Sequence, residues 1–161
     1  MVRVGLISDT HGLLRPEAIG FLQGSDIIIH GGDIGNAGIL DELRALAAVT
    51  AVRGNNDKGA WAESLPETEA LQVGEYFVYV LHDLAELDID LGAAGFRIVV
   101  SGHSHRPRIE EREGVLYVNP GSAGPRRFKL PVTAGELIFS NGKVTARIVD
   151  LIAQEVIQTS R

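Results

Sequence analysis

The sequence predicts an α/β fold whose first third is built from parallel strand–helix–strand units and whose remainder is rich in strands. Three observations carry that prediction. Short apolar runs of strand length alternate with helical periodicity over the first 53 residues, the pattern of right-handed βαβ crossovers. Paired apolar runs around glycine turns crowd the second half. The chain has 161 residues, about the length of one domain, and no internal repeat, low-complexity run or linker divides it.

The elements follow in order. Residues 2–8 alternate and then turn apolar (Val2, Val4, Leu6, Ile7), as a buried first strand does. Pro16 stands where a first helical turn favours proline, and a short helix runs through Leu22 to Gly24. Asp26–His30 is short and β-branched, hence a strand. Asn36 caps a helix that carries Ile39, Leu40, Leu43, Leu46 and Ala47 on one face. Val49–Arg53 is a third strand, ending at Gly54. Glu69–Val73 and Tyr76–Leu81 flank Gly74 as a hairpin, and a short helix is expected near Leu84–Ala94. Phe96–Val100 reads as another buried strand. Arg108–Glu113 and Val115–Val118 pair around Gly114, and Glu136–Ser140 and Lys143–Asp150 pair around Asn141-Gly142, a strong hairpin signal.

Composition narrows the function classes. An apolar share of 45% and a charged share of 22% are ordinary for a globular chain and exclude a disordered one. With no cysteine, a thiolate nucleophile, a cysteine zinc site, an iron–sulfur cluster and a disulfide framework are all excluded. The net charge of −6 argues against an extended nucleic-acid surface. No run approaches the roughly 18 apolar residues of a membrane span, and Asp9 interrupts the apolar start, so the expectation is a soluble, cytoplasmic protein without a membrane partner.

Chemistry concentrates in five short motifs at strand ends: Asp9-Thr10-His11, Gly32-Asp33, Gly54-Asn55-Asn56-Asp57, His82 and Gly102-His103-Ser104-His105. Asp9 and Asp33 are 24 residues apart, and Asp33 and Asn55 are 22 apart, each about one βα repeat. Three metal-competent side chains therefore follow three successive parallel strands at their carboxyl ends, where ligands bind in open α/β sheets. Asp9, His11, Asp33, Asn55, His82, His103 and His105 make seven mixed oxygen and imidazole donors. One metal takes about four to six ligands, so seven suit two metals that share a carboxylate, and Asp33 is central in chain order. Such a pair can generate a hydroxide at neutral pH and hold phosphoryl oxygens during displacement. Asn55, a neutral ligand, has an amide that can also donate to a phosphate oxygen, which makes it a candidate catalytic residue beside Asp57.

Asp-x-His, Gly-Asp, Gly-Asn-x-Asp, an isolated His and Gly-His-x-His, in that order, resemble the calcineurin-like metallophosphoesterases. Val52-Arg53-Gly54-Asn55 and Asn119-Pro120-Gly121-Ser122 make the chain similar to the small YfcE-type phosphodiesterases over residues 1 to 150. The resemblance implies a four-layer α-β-β-α sandwich of two mixed β-sheets. It implies one metal on Asp9, His11, Asp33 and His105, and a second on Asp33, Asn55, His82 and His103. The cofactor would be two divalent ions, manganese first, with nickel, iron, zinc or magnesium as alternatives. The implied activity is hydrolysis of a small-molecule or nucleotide phosphodiester by a hydroxide between the metals. The alternatives are a phosphomonoesterase or nucleotide phosphatase on the same site, and a non-catalytic scaffold, a role that one retromer subunit of this fold serves. Two bound divalent ions would bring the formal charge from −6 to −2. Exposed hairpin edges permit a homo-oligomer.

Two positions depart from the family. Many members have histidine after the asparagine of the third motif, where it protonates the leaving oxygen; here Asn56 cannot titrate. Asp83 follows His82 where relatives often have glycine, either to perturb the second metal or to cap a helix. Other residues have plainer expectations. Asp57 orients its loop or a ligand histidine by a hydrogen bond, His30 packs in the core or supports the site, and Ser104 is structural. Asn119–Ser122 forms a tight turn. Arg126 and Arg127 are a solvated pair, and Trp61 and Phe128 are packing or pocket-wall residues.

Overall fold

In the computed structural model of the chain, residues 1–160 are described. The parallel unit predicted from the sequence is present: β1 (Val2–Ile7), α1 (Pro16–Leu22), β2 (Ile27–His30), α2 (Ala37–Arg44) and β3 (Ala48–Ala51) follow one another. Pro16 opens α1, and the Asn36 side chain caps α2 by accepting from the Ile39 N–H. β3 stops at Ala51 because Arg53 N–H turns away to the Pro66 carbonyl. A short α3 (Ala60–Glu63), absent from the sequence expectation, leads to β4 (Thr68–Val73) and β5 (Tyr76–Leu81). Then come β6 (Ile98–Val100), β7 (Arg108–Arg112), β8 (Val115–Asn119), β9 (Thr133–Ser140), β10 (Lys143–Asp150) and β11 (Glu155–Thr159).

The strands form two mixed sheets, in the order β11-β10-β9-β1-β2-β3 and β4-β5-β6-β8-β7. β1, β2 and β3 are parallel in the first, and β5, β6 and β8 are parallel in the second. The sheets pack face to face: Val4, Leu6 and Ile29 of the first share a core with Val78, Val80, Ile98 and Val118 of the second. Helices α1 and α2 bury Ala18, Leu22, Leu40 and Leu43 against the outer face of the first sheet. Leu81, Val99 and Leu91 form a third cluster outside the second sheet.

That last layer corrects an expectation. Leu84–Ala94 is not an α-helix: only the 3-10 turn Leu84–Glu86 is regular. Asp83 and Asp90 explain why, since each side chain accepts a nearby backbone N–H, from Ala85 and Ala93, and offers the chain a turn instead of a helix. Phe128 is a second correction. It is 95% exposed, with a positive φ of 52°, and packs against no core cluster, whereas Trp61 is half-buried against the α2 side. β11 was missed because Glu155, Val156 and Ile157 all face solvent on a sheet edge, which erases the alternation that marks a strand. Among the described residues, no helix is long and apolar enough to cross a membrane.

Candidate metal centre

Both sheets deliver their parallel strand ends to one place. Asp9 follows β1, and its loop is stitched to the loop after β2: Asp9 N–H donates to the Gly32 carbonyl, His11 N–H to the Asp33 carbonyl and Gly12 N–H to the Ile34 carbonyl. His82 directly follows β5 and reaches across to the first sheet, its Nδ1 2.7 Å from the Gly31 carbonyl. The His103 N–H, beyond β6, donates to Asp9 Oδ2 at 3.1 Å. These bonds clamp the two sheets at the edge where the side chains converge.

Convergence requires unusual backbone. Asp9, His11, Asp33, His103 and His105 have φ between 46° and 69°, five of the nine non-glycine residues with positive φ among those described. Such left-handed residues are uncommon, though Asp and His adopt them more readily than most, and they cluster where function over-determines the geometry. Gly54 and Gly102 complete the cradle. A Cβ on Gly54 would strike Asp33, and one on Gly102 would strike Ser8 and the Asp9 carboxylate.

Five of the seven expected ligands form a tight cluster. Asp9 Oδ1 lies 3.3 Å from His105 Nε2, 3.7 Å from His11 Nε2 and 4.0 Å from His82 Nε2. Asp33 Oδ2 lies 3.3 Å from His82 Nε2 and 3.6 Å from His11 Nε2. Both carboxylates thus stand between histidines, so Asp9 is as central as Asp33. Asn55 and His103 lie at the rim, joined by a 3.3 Å contact between Asn55 Oδ1 and His103 Nδ1. His103 Nε2 turns to Asp83 at 3.7 Å, while Asp83 Oδ1 caps the 3-10 turn, the capping role expected of it.

These residues suit a cation. Asp9 Oδ1 and His82 Nε2 are buried and have no hydrogen-bond partner, yet both point into the cluster. Leaving such atoms without a partner costs about 1–3 kcal/mol each, a cost that coordination would remove. The groups Asp9–His11–His105 and Asp9–Asp33–His82 each bring three donor atoms within 4.8 Å of one another. The imidazole Nδ1–H of His82 donates to the Gly31 carbonyl, which leaves Nε2 to face the centre, as in carbonyl-oriented metal histidines.

Burial opposes ionisation of Asp9, but the neighbouring His105 and His11 imidazoles and the Ser8 hydroxyl bond outweigh it and hold the carboxyl well below its usual range. Burial likewise opposes ionisation of Asp33, yet the adjacent His82 imidazole and the Asn56 backbone bond depress it. Although burial pushes the His82 imidazole down, the Asp33 carboxylate beside it and its bond to the Gly31 carbonyl raise it to about 9. The metal-free protein therefore holds a proton on His82 at pH 7, and a cation at Nε2 must displace it. Loading manganese at pH 7 should release about one proton, read by calorimetry in buffers of different ionisation enthalpy. Affinity should rise with pH and level off above about 9. Metal uptake without proton release at pH 7 would contradict the role of His82.

Around the cluster, further buried and half-buried side chains hold the loops. Asp57 accepts the Ile34, Gly35 and Gly54 N–H groups with its two oxygens, so it orients its loop and is spoken for before any reacting atom arrives. His30 is fully buried: its Nδ1 accepts the Gly32 N–H, so Nε2–H donates to Thr10 Oγ, which donates in turn to the Ile34 carbonyl. Burial lowers His30 to about 4, so it is a neutral strut. Asn119 donates to the Gly102 carbonyl and to Ser104, and Ser122 donates to the Asp9 carbonyl, which brings the Asn-Pro-Gly-Ser turn against the site. Ser8 and Thr10 were not anticipated. Their only sequence signal is a small hydroxyl on either side of Asp9.

Residues 2–141 match the family model of the calcineurin-like phosphoesterase superfamily domain. A probable metallophosphoesterase of Methanocaldococcus jannaschii is 32% identical over 92% of this chain and 81% of its own length. A phosphodiesterase of the same organism is 26% identical over 74% of this chain and 83% of its own. Among solved structures, Escherichia coli YfcE, a phosphoesterase, aligns with a TM-score of 0.78 at 20% identity over 99% of this chain and 98% of its own. Vps29 of Entamoeba histolytica in complex with zinc aligns at 0.79 and 24% identity over the same shares.

Proposed function

The chain belongs to the calcineurin-like phosphoesterase superfamily, and on that premise we propose that it is a phosphodiesterase working with two divalent cations. The observation that carries the reading is that two of the three buried side-chain atoms without a hydrogen-bond partner among the described residues, Asp9 Oδ1 and His82 Nε2, lie inside a ring of histidines and carboxylates. Asp9, His11, Asp33 and His105 would hold one cation, and Asp33, Asn55, His82 and His103 the other. Mixed nitrogen and oxygen donors suit manganese or a similar first-row ion. When bound, such a pair supplies an activated water and neutralises charge on the phosphoryl oxygens.

The protein's own groups do the rest. Asn55 presents an amide at the rim, where its N–H donors can meet a phosphoryl oxygen and stabilise the charge that develops there. Asp57, His30 and Asn119 brace loops that carry the ligands. Hydrolysis adds the oxygen of water to phosphorus and releases one ester arm as an alcohol. That arm must take its proton without help from position 56, because Asn56 has none to give. The consequence is a preference for diesters and for leaving groups that depart as stable anions. The relative named a phosphodiesterase supports the same choice.

With manganese present, bis(4-nitrophenyl) phosphate should be turned over with a kcat/KM at least tenfold above that of 4-nitrophenyl phosphate. The reverse order would make the protein a phosphomonoesterase. No turnover of either ester by fully metallated protein would favour the scaffold reading.

A further inference from the structure

Two cavities flank the cluster, and they carry opposite charge. One, about 630 Å³, is bounded by His103, Gly102 and the wall from Arg106 to Arg112, and is closed by Tyr117, Leu130 and Pro131. Its charged lining, apart from His103, is three arginines (106, 108 and 112) against two carboxylates, Asp83 and Glu110. The other, about 410 Å³, is bounded by Asn55 and His82 and has one arginine, Arg53, against five carboxylates: Asp57, Glu67, Asp83, Glu86 and Asp88. Asp83 belongs to both walls. In a chain of net charge −6, a cation-rich wall beside the reacting centre runs against the overall balance.

The basic wall is also organised. Arg108 pairs with Glu110 at 2.7 Å, and Arg112 approaches the same carboxylate at 3.7 Å, so Glu110 is shared and the pair keeps a positive balance. The Arg112 guanidinium lies over the Tyr117 ring, 4.3 Å from its centroid, which stiffens it. Arg106 follows the ligand His105 directly, is exposed, and among the described residues no ion pair ties its guanidinium down. At physiological ionic strength charges act over roughly 8 Å, so each wall is felt by a substrate in the cleft and little beyond it.

We infer that the cleft is charge-polarised and that its substrate is an asymmetric phosphodiester, one arm of which carries a second phosphate seated against Arg106, Arg108 and Arg112. The inference rests on the phosphodiesterase reading and adds the substrate class and its orientation. The uncharged or cationic arm lies toward the acidic cavity, where Arg53 is already paired with Glu67 at 2.9 Å and Glu86 and Asp88 repel an anion. A symmetric diester has no preferred direction, and a diester with its phosphate in the acidic cavity meets like charge. Planar guanidinium groups bind phosphate through paired donors, which suits arginine here over lysine.

The test compares thymidine 5′-(4-nitrophenyl phosphate) with the same compound phosphorylated at the 3′ position, both of which release 4-nitrophenolate. In the manganese-loaded wild type, KM should be about tenfold lower for the 3′-phosphorylated substrate, and the advantage should shrink as salt rises. In R106E/R108E the ratio of the two KM values should fall to about one. In R44E/K143E, which makes the same charge change elsewhere on the surface, the ratio should persist. Calorimetry should give the same order for two products, with thymidine 3′,5′-bisphosphate binding wild type about tenfold tighter than thymidine 5′-monophosphate. Equal KM values in wild type, or a ratio that survives in R106E/R108E, would overturn the inference and leave the phosphodiesterase reading standing. Failure to hydrolyse bis(4-nitrophenyl) phosphate would overturn both.

Discussion

Changing Asp33 to asparagine is expected to remove metal binding and turnover together, with kcat/KM falling about 10³-fold or more. Asp33 is 3% exposed, ionised despite burial, and its Oδ2 stands between His82 Nε2 at 3.3 Å and His11 Nε2 at 3.6 Å. Asn56 already commits two donors to it: the backbone N–H to Oδ1 at 2.8 Å and the side-chain amide to Oδ2 at 3.1 Å. An asparagine at position 33 must place an NH2 at one of those two oxygens, so donor faces donor whichever way the amide turns. The charge that attracts a cation disappears as well. Cations at such a site supply several kcal/mol of charge stabilisation, and each ~1.4 kcal/mol is a factor of ten in rate. Metal content by mass spectrometry and turnover of bis(4-nitrophenyl) phosphate read the two losses on one preparation. D33N that keeps its metals, or keeps turnover within tenfold of wild type, would sink the assignment. Loss of metal with turnover retained would show that hydrolysis needs no cation here.

The part of this centre that could be read from the sequence is the part set by topology. Successive parallel strands put Asp9, Asp33 and Asn55 at one sheet edge because each βα unit repeats at 22 to 24 residues. His82 and His103 stand beyond β5 and β6, parallel neighbours in the second sheet, for the same reason. What periodicity cannot encode is how the sheets face each other. That depends on single bonds such as His82 to the Gly31 carbonyl and the His103 N–H to Asp9, whose partners lie 51 and 94 residues apart. Equally hidden was the left-handed backbone at five of the expected ligands, since Asp and His tolerate that conformation without announcing it. The failures elsewhere have a common cause. Around Leu84–Ala94, aspartates satisfy backbone donors locally, and in β11 the apolar residues face solvent, so side-chain chemistry and hydrophobic pattern parted company. Arg106, Arg108 and Glu110 sit at every second residue in plain view, but their meaning needed the cavity between them and His103.

Replacing Asn56 by histidine is expected to flatten the dependence of rate on leaving-group pKa. The Asn56 side chain already reaches the reacting centre, since its amide touches Asp33 Oδ2, and the residue is exposed enough for a substrate arm to approach. An imidazole placed there can donate a proton to a departing oxygen, which asparagine cannot. General acid catalysis is worth about 10²–10⁴-fold, and that gain falls where the leaving group is a poor one. Alkyl diesters should therefore speed up within that range, while 4-nitrophenyl esters, whose anion needs little protonation, should change little. Metal content must be measured alongside, because the variant gives up the side-chain bond to Asp33 Oδ2 and keeps only the backbone bond to Oδ1. A series of aryl and alkyl diesters then gives the slope of log kcat/KM against leaving-group pKa for each protein. If fully metallated N56H shows the same slope as the wild type, position 56 does not control protonation. The preference for good leaving groups would then have to come from the cleft that grips the ester arms, with Asn56 serving only to brace Asp33.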